Sequence, residues 1–234
     1  MAVVQARERS TRLPGKVLMP LPDGRTVLEH VVMRVRRMET VDDVVVATGP
    51  RDANMGIAAL CNRGGKFSVS CYHHDDEDDV LGRFHSAAAE WGADLIVRVT
   101  ADCPLFDTAL GDAVVRRGEP WSKHDFATNM HPPSFPRGFA VEVMTSDALE
   151  RAHRRATTAY DREHVATWIY RTAPELHSIA SGVNDTTESD VNLSVDTAED
   201  LERVRGVLEW NPEPTWREAL LWVRAQEKIA VSKR

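Results

Sequence analysis

Cysteine is scarce in this sequence, and long hydrophobic runs are absent. The 234 residues include three cysteines (Cys61, Cys71 and Cys103), an odd number with no C-x-x-C spacing. This pattern predicts free thiols in a reduced, cytoplasmic protein. No apolar run approaches the roughly 20 residues that span a bilayer. The N-terminus places Gln5 and Arg7 directly behind a short apolar run, which is unlike a signal peptide. We therefore expect no membrane association.

An excess of positive charge is also lacking. The chain has 29 Lys and Arg residues against 36 Asp and Glu residues, for a formal net charge of -7. A general nucleic-acid binder would present a broad basic face, so no nucleic-acid partner is expected. There is no internal repeat, no low-complexity segment and no G-x-x-x-x-G-K-[ST] phosphate loop. The composition, 42% hydrophobic and 28% charged, is typical of an ordinary globular protein.

The first sixteen residues oppose the acidic balance of the chain. An apolar run, Ala2 to Val4, leads into a segment in which Glu8 is the only acid. The cations of this segment, residues 7–16, here called the cationic loop, are Arg7, Arg9, Arg12 and Lys16. In α/β proteins, backbone N–H groups and Arg or Lys side chains hold polyphosphates at the carboxyl edge of the sheet. The sequence therefore predicts an anion-binding loop after the first strand.

Short β-branched runs alternate with helical patterns through the first half of the chain. The runs are Ala2–Val4, Val44–Ala47, Phe67–Cys71 and Leu95–Val99. Because their polarity does not alternate cleanly, they are typical of parallel strands covered on both faces. The predicted helices between them are Thr26–Arg37, Asp52–Arg63 and Glu77–Trp91. This order predicts an α/β fold with a doubly wound sheet.

Prolines interrupt this pattern after Gly118. Further strands are predicted at Ala140–Met144 and Val191–Val195. Further helices are predicted at Asp147–Thr157, Tyr160–Arg171, Thr197–Glu209 and Thr215–Lys228.

Two acids follow predicted strands in distant parts of the chain. Asp102 follows the Leu95–Val99 run, and Asp196 follows the Val191–Val195 run. Each also has a structural explanation: Asp102 as a helix cap or a turn residue, and Asp196 as an N-cap beside a Thr197–Asp200 capping box. If both acids reach the carboxyl edge of the sheet, they could bind one Mg²⁺ opposite the cationic loop.

Three further polar clusters remain open between structure and chemistry. Residues 161–164, Asp-Arg-Glu-His, suit a solvated helix start as well as a site. The acidic run after His73-His74 favours a solvated loop, because adjacent residues cannot all face one ion. Cys103 has no histidine near it in sequence, which favours a buried small hydrophobic residue over a reactive thiol.

Seven motifs, spread over most of residues 2–205, occur in the order of one known family. They are Val4–Arg7 with Ser10–Lys16, Val45–Thr48, Glu77–Leu81 with Arg83-Phe84, Ile96–Leu105, Pro136–Gly138 with Val141–Val143, Arg162–Val165, and Val195–Asp200. The chain resembles cytidylyltransferases of the CMP-sugar synthetase type. The likeness is greatest to the spore-coat polysaccharide branch, with CMP-3-deoxy-manno-octulosonate synthetase more distant.

The resemblance implies a fold and a set of site residues. The fold would be a mainly parallel sheet of the nucleotide-diphospho-sugar transferase type, in one domain spanning 1–234. A dimerisation and acceptor subregion would lie within 120–182, giving a homodimer. The implied nucleotide-binding residues are Gln5, Ala6, Arg7, Arg12, Lys16, Thr48, Asp78, Asp79 and Val80. The implied catalytic residues are Arg12, Lys16 and Asp102, the Mg²⁺ ligands are Asp102 and Asp196, and the acceptor-binding residues are Arg137, Glu142, Arg162 and His164.

The implied activity is transfer of CMP from CTP to a small anionic acceptor, with release of pyrophosphate. Two positions depart from the family pattern: Ala101 replaces the usual glycine before the metal-binding acid, and Phe139-Ala140 replaces an aliphatic residue and an acid. A keto-sugar acid and a small phosphonate both remain open as acceptors. The alternatives are a nucleotidyltransferase that uses another nucleoside triphosphate and a non-catalytic nucleotide-binding protein.

Overall fold

A seven-stranded sheet forms the centre of the protein. The computed structural model describes residues 1–130, 133, 135–172, 177–179 and 188–232. The strands are β1 (Ala2–Gln5), β2 (Val44–Thr48), β3 (Ser70–His73), β4 (Leu95–Thr100), β5 (Phe126–Thr128), β6 (Glu142–Thr145) and β7 (His177–Ile179). Their order across the sheet is β3-β2-β1-β4-β6-β5-β7. Neighbouring strands are parallel, except that β6 runs antiparallel to both β4 and β5.

Nine α-helices lie in the described part of the chain. They are α1 (Val27–Val35), α2 (Met55–Cys61), α3 (Val80–Glu90), α4 (Thr108–Arg117), α5 (Ser146–Arg155), α6 (Ala159–His164), α7 (Thr167–Thr172), α8 (Ala198–Trp210) and α9 (Trp216–Ser232). In β1, Ala2 and Val4 pack on one side of the sheet with α1, α2 and α4. Val3 packs on the other side with α3, α5 and α7. Burial on both faces explains why these strands read as continuous apolar runs, and the predicted doubly wound, mainly parallel sheet is confirmed.

The sequence pattern was less informative in the second half of the chain. The predicted helix Tyr160–Arg171 is two helices, α6 and α7, interrupted where Val165 adopts φ 53°. The predicted strand Val191–Val195 is wrong, because this segment has one isolated bridge, between Asn192 and Arg137. Strands β5 and β7 have no counterpart among the predicted strands, because each is three residues long and too short to show a period.

The 191–195 segment nevertheless has a fixed place against the sheet. Arg137 N donates to Val191 O (2.9 Å), and Leu193 N donates to Arg137 O (2.8 Å). This close approach requires glycine at 138, where φ is +107° and a Cβ atom would lie 2.7 Å from the carbonyl carbon of Leu193. The segment therefore runs beside residues 137–138 and leads Asp196 toward β4.

Residues 120–182, the predicted dimerisation and acceptor subregion, form the β6-β5-β7 side of the sheet and helices α5 to α7. Residues 131, 132, 134, 173–176 and 180–182 of this subregion lie outside the described residues. The subregion's role in dimerisation and the single-domain organisation stay predictions.

Candidate functional site

A wide cleft opens at the carboxyl ends of β1 and β4. Its volume is about 870 Å³, and its walls are the cationic loop, the strand ends at Gln5 and Thr100, the Glu77-Asp78 segment, Asp102 and Asp196. From β1 the chain proceeds to β2 and β3 on one side, and β4 then lies on the other side of β1. Ligands of open α/β sheets bind where the strand order reverses in this way. The cleft is therefore the candidate functional site.

Lys16 joins two acids that are distant in sequence. Its Nζ atom lies 2.7 Å from Asp102 Oδ2 and 2.9 Å from Asp196 Oδ1. Arg12 Nη2 also lies 2.9 Å from Asp196 Oδ1. The backbone makes this convergence possible, because Val195 N donates a 2.8 Å hydrogen bond to Asp102 O. The structure thus brings the predicted catalytic and metal-binding residues into one cluster, while their chemical roles stay predictions.

Neither acid serves as a helix cap. Helix α4 is capped by Asp107, whose Oδ1 accepts from Leu110 N (2.9 Å). Helix α8 begins with the capping box that the sequence suggested, in which Thr197 and Asp200 exchange hydrogen bonds. Because other side chains satisfy these helix ends, the carboxylates of Asp102 and Asp196 are left to face the cleft.

The charges of this cluster stabilise one another. Burial alone would raise the pKa of Asp102, but the Lys16 ammonium outweighs it and holds that pKa below its usual value. Burial likewise opposes the charge of Lys16, yet Asp102 and Asp196 together raise the Lys16 pKa. Asp102 and Lys16 are therefore both charged near neutral pH.

The donor set suits a hard divalent cation. Two carboxylates already lie within 3 Å of one cationic centre, the Lys16 ammonium, and carboxylate oxygens are the ligands that Mg²⁺ prefers. No group of three or more His, Cys, Asp or Glu residues with metal-site geometry occurs among the described residues. A cation held by Asp102 and Asp196 would need further oxygens, which phosphate groups and water supply at such sites.

Glu8, the only acid of the cationic loop, anchors the loop to the protein. The sequence alone suggested no role for it. Glu8 N donates to Asn54 Oδ1 (2.9 Å), and Glu8 Oε1 accepts from Ile57 N (3.0 Å). Asn54 is fully buried, and its Nδ2 donates to Glu77 Oε2 (3.1 Å). The loop is thereby fixed to the start of α2 and to the opposite wall of the cleft. The lone acid among four cations was the available sequence signal.

Several buried polar atoms without partners lie behind the Glu77-Asp78 wall. Arg83 is fully buried, and its Nη2 donates to Glu77 O (2.8 Å). Arg83 Nε and Nη1, Glu77 Oε1 and Thr48 Oγ1 have no hydrogen-bond partner in the described part of the chain. Buried donors and acceptors are normally satisfied. Groups buried in this way are commonly satisfied by water molecules bound inside the protein.

The remaining predicted nucleotide-binding residues surround the same region. Gln5, Arg7 and Asp78 line the cleft. Ala6 is buried at the end of β1, and Val80 is buried in the first turn of α3. Asp79 caps α3 by accepting from Gly82 N (2.9 Å).

The four predicted acceptor-binding residues lie in different settings. Arg137 is exposed beside the 191–195 segment, and His164 is exposed with its ring centroid 4.3 Å from that of Tyr160. Glu142 is buried in β6 and forms an ion pair with Arg98 of β4. Arg162 forms an ion pair with Asp79. None of the four lines the cleft as formed by the described residues, and their role in acceptor binding stays a prediction.

The other polar clusters have structural settings. Cys103 is buried, and burial together with the nearby Asp102 carboxylate raises the pKa of its thiol, so it is a poor nucleophile. His73 lies in β3, with its Nε2 3.6 Å from Cys71 Sγ. His74 accepts from Asp76 N within the following turn (3.2 Å).

Comparison with known proteins assigns the chain to a family. The sequence model for "Cytidylyltransferase" matches residues 1–224. The chain is 37% identical over 179 residues to protein MJ1063 of Methanocaldococcus jannaschii, covering 76% of this chain and 70% of that protein. It is 30% identical over 223 residues to the spore coat polysaccharide biosynthesis protein SpsF of Bacillus subtilis, covering 88% and 84%. A cytidylyltransferase structure from Leptospira borgpetersenii superposes with a TM-score of 0.87 at 27% identity, covering 97% and 94%.

The chain is a member of the cytidylyltransferase family. The resemblance inferred from the seven motifs is confirmed, as are the enzyme class and the fold. The more distant likeness is also found: 3-deoxy-manno-octulosonate cytidylyltransferase of Geobacter sulfurreducens is 34% identical over 114 residues, covering 49% of this chain and 43% of that protein. Among the described residues, no helix of this cytidylyltransferase is long and apolar enough to cross a membrane.

Arg162 offers a test of the acceptor assignment in this family member. Its Nε and Nη2 atoms lie 2.8 and 2.5 Å from the two carboxylate oxygens of Asp79, and its Nη1 donates to His153 O (3.0 Å). Partial burial would raise the pKa of Asp79, but the hydrogen bonds from Arg162 and Gly82 outweigh it and lower that pKa. The ion pair therefore ties α6 to the first turn of α3.

We expect Arg162→Lys to lower the free energy of unfolding by about 1 kcal/mol at pH 7, because lysine cannot form the paired contact. Because the pKa of Asp79 is lower in the folded protein than in the unfolded chain, its ionised carboxylate stabilises the fold above the unfolded-chain pKa. This stabilisation is lost as pH falls through the folded-state pKa. The difference from wild type should therefore shrink below about pH 4. Urea unfolding at several pH values measures this. A rise of roughly tenfold or more in acceptor KM with unchanged stability would instead place Arg162 in the acceptor site.

Proposed function

We propose that this cytidylyltransferase transfers CMP from CTP to a small anionic acceptor and releases pyrophosphate, with Mg²⁺ held by Asp102 and Asp196. The observation that carries the proposal is the cluster of Lys16, Asp102 and Asp196 in the cleft at the switch point of the sheet. A protein that only binds nucleotide has no need of two carboxylates on one cationic centre. The cluster therefore favours catalysis over simple binding.

The reaction requires no nucleophile from the protein. The attacking oxygen is already ionised in a phosphonate, whereas a sugar hydroxyl releases its proton to water; this oxygen attacks the α-phosphorus of CTP in line, the bond from the α-phosphorus to the bridging oxygen breaks, and pyrophosphate leaves with that oxygen. Arg12 and Lys16 would stabilise the charge that collects on pyrophosphate, and the anchored cationic loop would position the triphosphate. When bound, Mg²⁺ supplies charge neutralisation at the phosphate oxygens. The hydrogen bond from Glu8 N to Asn54 Oδ1 would help to hold the loop in place for the triphosphate.

We place the cytosine base against the Glu77-Asp78 wall of the cleft. Glu77 and Asp78 line the cleft, and a carboxylate there can accept a hydrogen bond from the exocyclic amino group of cytosine. Of the other residues that the resemblance assigns to the nucleotide, Asp78 lines the cleft, and we propose that Thr48, Asp79 and Val80 support this wall.

The acceptor is a keto-sugar acid or a small phosphonate. Both carry an anionic oxygen, and the cleft walls supply Arg7, Arg9 and Arg12 in addition to Lys16. SpsF is described as a spore coat polysaccharide biosynthesis protein, which supports a sugar, and the similarity to 3-deoxy-manno-octulosonate cytidylyltransferase supports a sugar acid. Phe139, buried where the family often has an aliphatic residue, is compatible with a different acceptor.

Pyrophosphate release tests the proposal. Purified protein should release pyrophosphate from CTP and Mg²⁺ with at least one member of a panel of keto-sugar acids and small phosphonates. UTP, GTP and ATP should react at least tenfold more slowly. Faster turnover of another triphosphate would establish the alternative nucleotidyltransferase, and CTP binding without pyrophosphate release across the panel would establish a non-catalytic binding protein.

We further propose that the enzyme is a cytoplasmic homodimer associated through residues 120–182. The support is the resemblance alone. Light scattering coupled to size exclusion measures the mass against the 26.2 kDa of one chain.

A further inference from the structure

Three polar side chains form a row across neighbouring strands beneath the cleft. Arg98 of β4 is the direct cross-strand partner of Glu142 of β6, and Gln5 of β1 pairs in register with Thr100 of β4. Because side chains alternate along a strand, Arg98 and Thr100 share one face of the sheet. Arg98 is 17% and Glu142 12% exposed, so the ion pair is largely removed from solvent.

Arg98 also contacts Gln5, which lines the cleft. Its Nη2 donates to Gln5 Oε1 at 3.4 Å, and its guanidinium lies 5.8 Å from the centre of the Phe84 ring. Arginine carries only donors, so the Arg98 guanidinium can pair only with the oxygen of the Gln5 amide. The Gln5 Nε2 group is thereby turned away from Arg98. Within the described residues, that group donates no hydrogen bond to the protein.

We propose that Gln5 Nε2 donates to an anionic oxygen of a bound substrate, and that Arg98, held by Glu142, is the positioning residue that fixes this orientation. The inference rests on the proposed function. An unfixed glutamine presents oxygen or nitrogen with similar ease, whereas this one presents a donor only. The cleft floor therefore selects a hydrogen-bond-accepting oxygen at this point.

The oxygen belongs either to the acceptor or to the α-phosphate of CTP. The two oxygens present the same chemistry to an N–H donor, and Gln5 lies between the two candidate positions. On one side, its neighbour is Ala47 of β2, beside the proposed base wall. On the other side, the row of polar side chains continues through β4 to β6. Glu142 thus acts through Arg98 rather than by touching the acceptor. This gives a physical reason why Glu142 is buried and paired instead of facing the cleft.

Two substitutions of Gln5 test the donor. Gln5→Glu keeps the size and the Arg98 contact but replaces the donor with a carboxylate oxygen, and it should lower kcat/KM on the order of 100-fold. Gln5→Leu removes the donor without adding charge and should lower kcat/KM on the order of tenfold. A rise in acceptor KM assigns the oxygen to the acceptor, and a rise in CTP KM assigns it to the α-phosphate. Unchanged kinetics in Gln5→Glu would overturn the proposal.

A double-mutant cycle tests the positioning role. The paired variant Arg98→Met/Glu142→Met removes both charges together, which avoids an unpaired buried ion. In this background Gln5→Leu should cost less than about threefold, because the amide is already unfixed. A purely structural ion pair would lower the melting temperature but leave the tenfold cost of Gln5→Leu intact, and that result would overturn the positioning role. Arg98→Lys, which keeps a donor and a charge, should retain most of the activity.

A binding measurement separates this inference from the proposed function. The side-chain amide resonance of Gln5 in ¹⁵N-labelled protein, assigned with Gln5→Leu, should shift on addition of CMP or methylphosphonate. The shift needs no turnover. Wild-type protein that releases no pyrophosphate but shows the shift contradicts the function and keeps the donor assignment. Wild-type protein that releases pyrophosphate while the Gln5 resonance does not respond to either probe overturns the donor assignment.

Discussion

Asp102→Asn should remain folded and lose turnover by a factor on the order of 100 or more. Asparagine is nearly isosteric, and the helix that follows keeps its own cap at Asp107. The substitution removes one of the two carboxylates beside the Lys16 ammonium. Electrostatic stabilisation of this kind makes a large contribution to lowering the free energy of a transition state. Lys16 is largely buried and loses one of its two carboxylate partners but retains Asp196 at 2.9 Å, so the loss of stability should be on the order of 1–3 kcal/mol and the variant should stay folded.

The measurement is the rate of pyrophosphate release at saturating Mg²⁺ and CTP, with thermal unfolding of the same samples. Asp107→Asn is the matched control. That acid lies five residues away and is buried, whereas Asp102 is partly exposed, and it accepts from Leu110 N and Trp216 N. Its loss should lower stability with turnover unchanged. Near-normal turnover in folded Asp102→Asn would remove Asp102 from the reaction centre.

Asp196→Asn should behave like Asp102→Asn, and the double variant should lose less than the product of the two single effects. The two carboxylates face one cationic centre, so the second loss removes less than the first. If the turnover loss of the double variant equals the product of the two single losses, the two acids act at separate places.

The convergence of these acids shows what strand-end reasoning can predict. Asp102 follows a buried parallel strand, and its position at the carboxyl edge follows from the strand alone. Asp196 also lies at this edge and lines the cleft, although residues 191–195 before it do not form the predicted strand. Its position comes instead from the Arg137–Val191–Leu193 hydrogen bonds and the close approach at Gly138. The polar residue after an apolar run was a sound indicator, although the backbone that positions it was misassigned.

Other parts of the site depend on pairings that no local pattern contains. The roles of Asn54 and Glu8 arise from a contact across 46 residues. The Arg98–Glu142 pair exists because β6 is antiparallel to β4 in one particular register, and register is not visible in either strand alone. Arg162, adjacent in sequence to Asp161, pairs instead with Asp79, 83 residues away. Motif resemblance singled out Asp79, Glu142 and Arg162 but not Glu8 or Asn54, and in every case the partner became visible only in the fold.

The cationic loop yields a prediction about substrate orientation. Lys16→Ala should weaken CTP binding on the order of 10- to 100-fold and CMP binding less than about threefold. The reason is that a charged hydrogen bond to the β- or γ-phosphate is lost, and CMP carries neither group. Calorimetric titration of each nucleotide in the presence of Mg²⁺ measures both affinities. Equal weakening of CTP and CMP would mean that Lys16 does not lie on the pyrophosphate side of the cleft.

Arg9→Ala is the matched control for Lys16→Ala, because Arg9 is an exposed cation of the same loop that also lines the cleft. A screened surface charge contributes mainly through its field, which falls steeply with ionic strength. Arg9→Ala should therefore weaken CTP by less than about fivefold, and the effect should fade when the salt concentration is raised from 0.05 to about 0.5 M. The Lys16 effect should persist, since Lys16 is 12% exposed and held between two carboxylates. If both variants weaken CTP equally and lose the effect together in salt, the loop attracts the triphosphate by net charge and Lys16 has no direct contact with it.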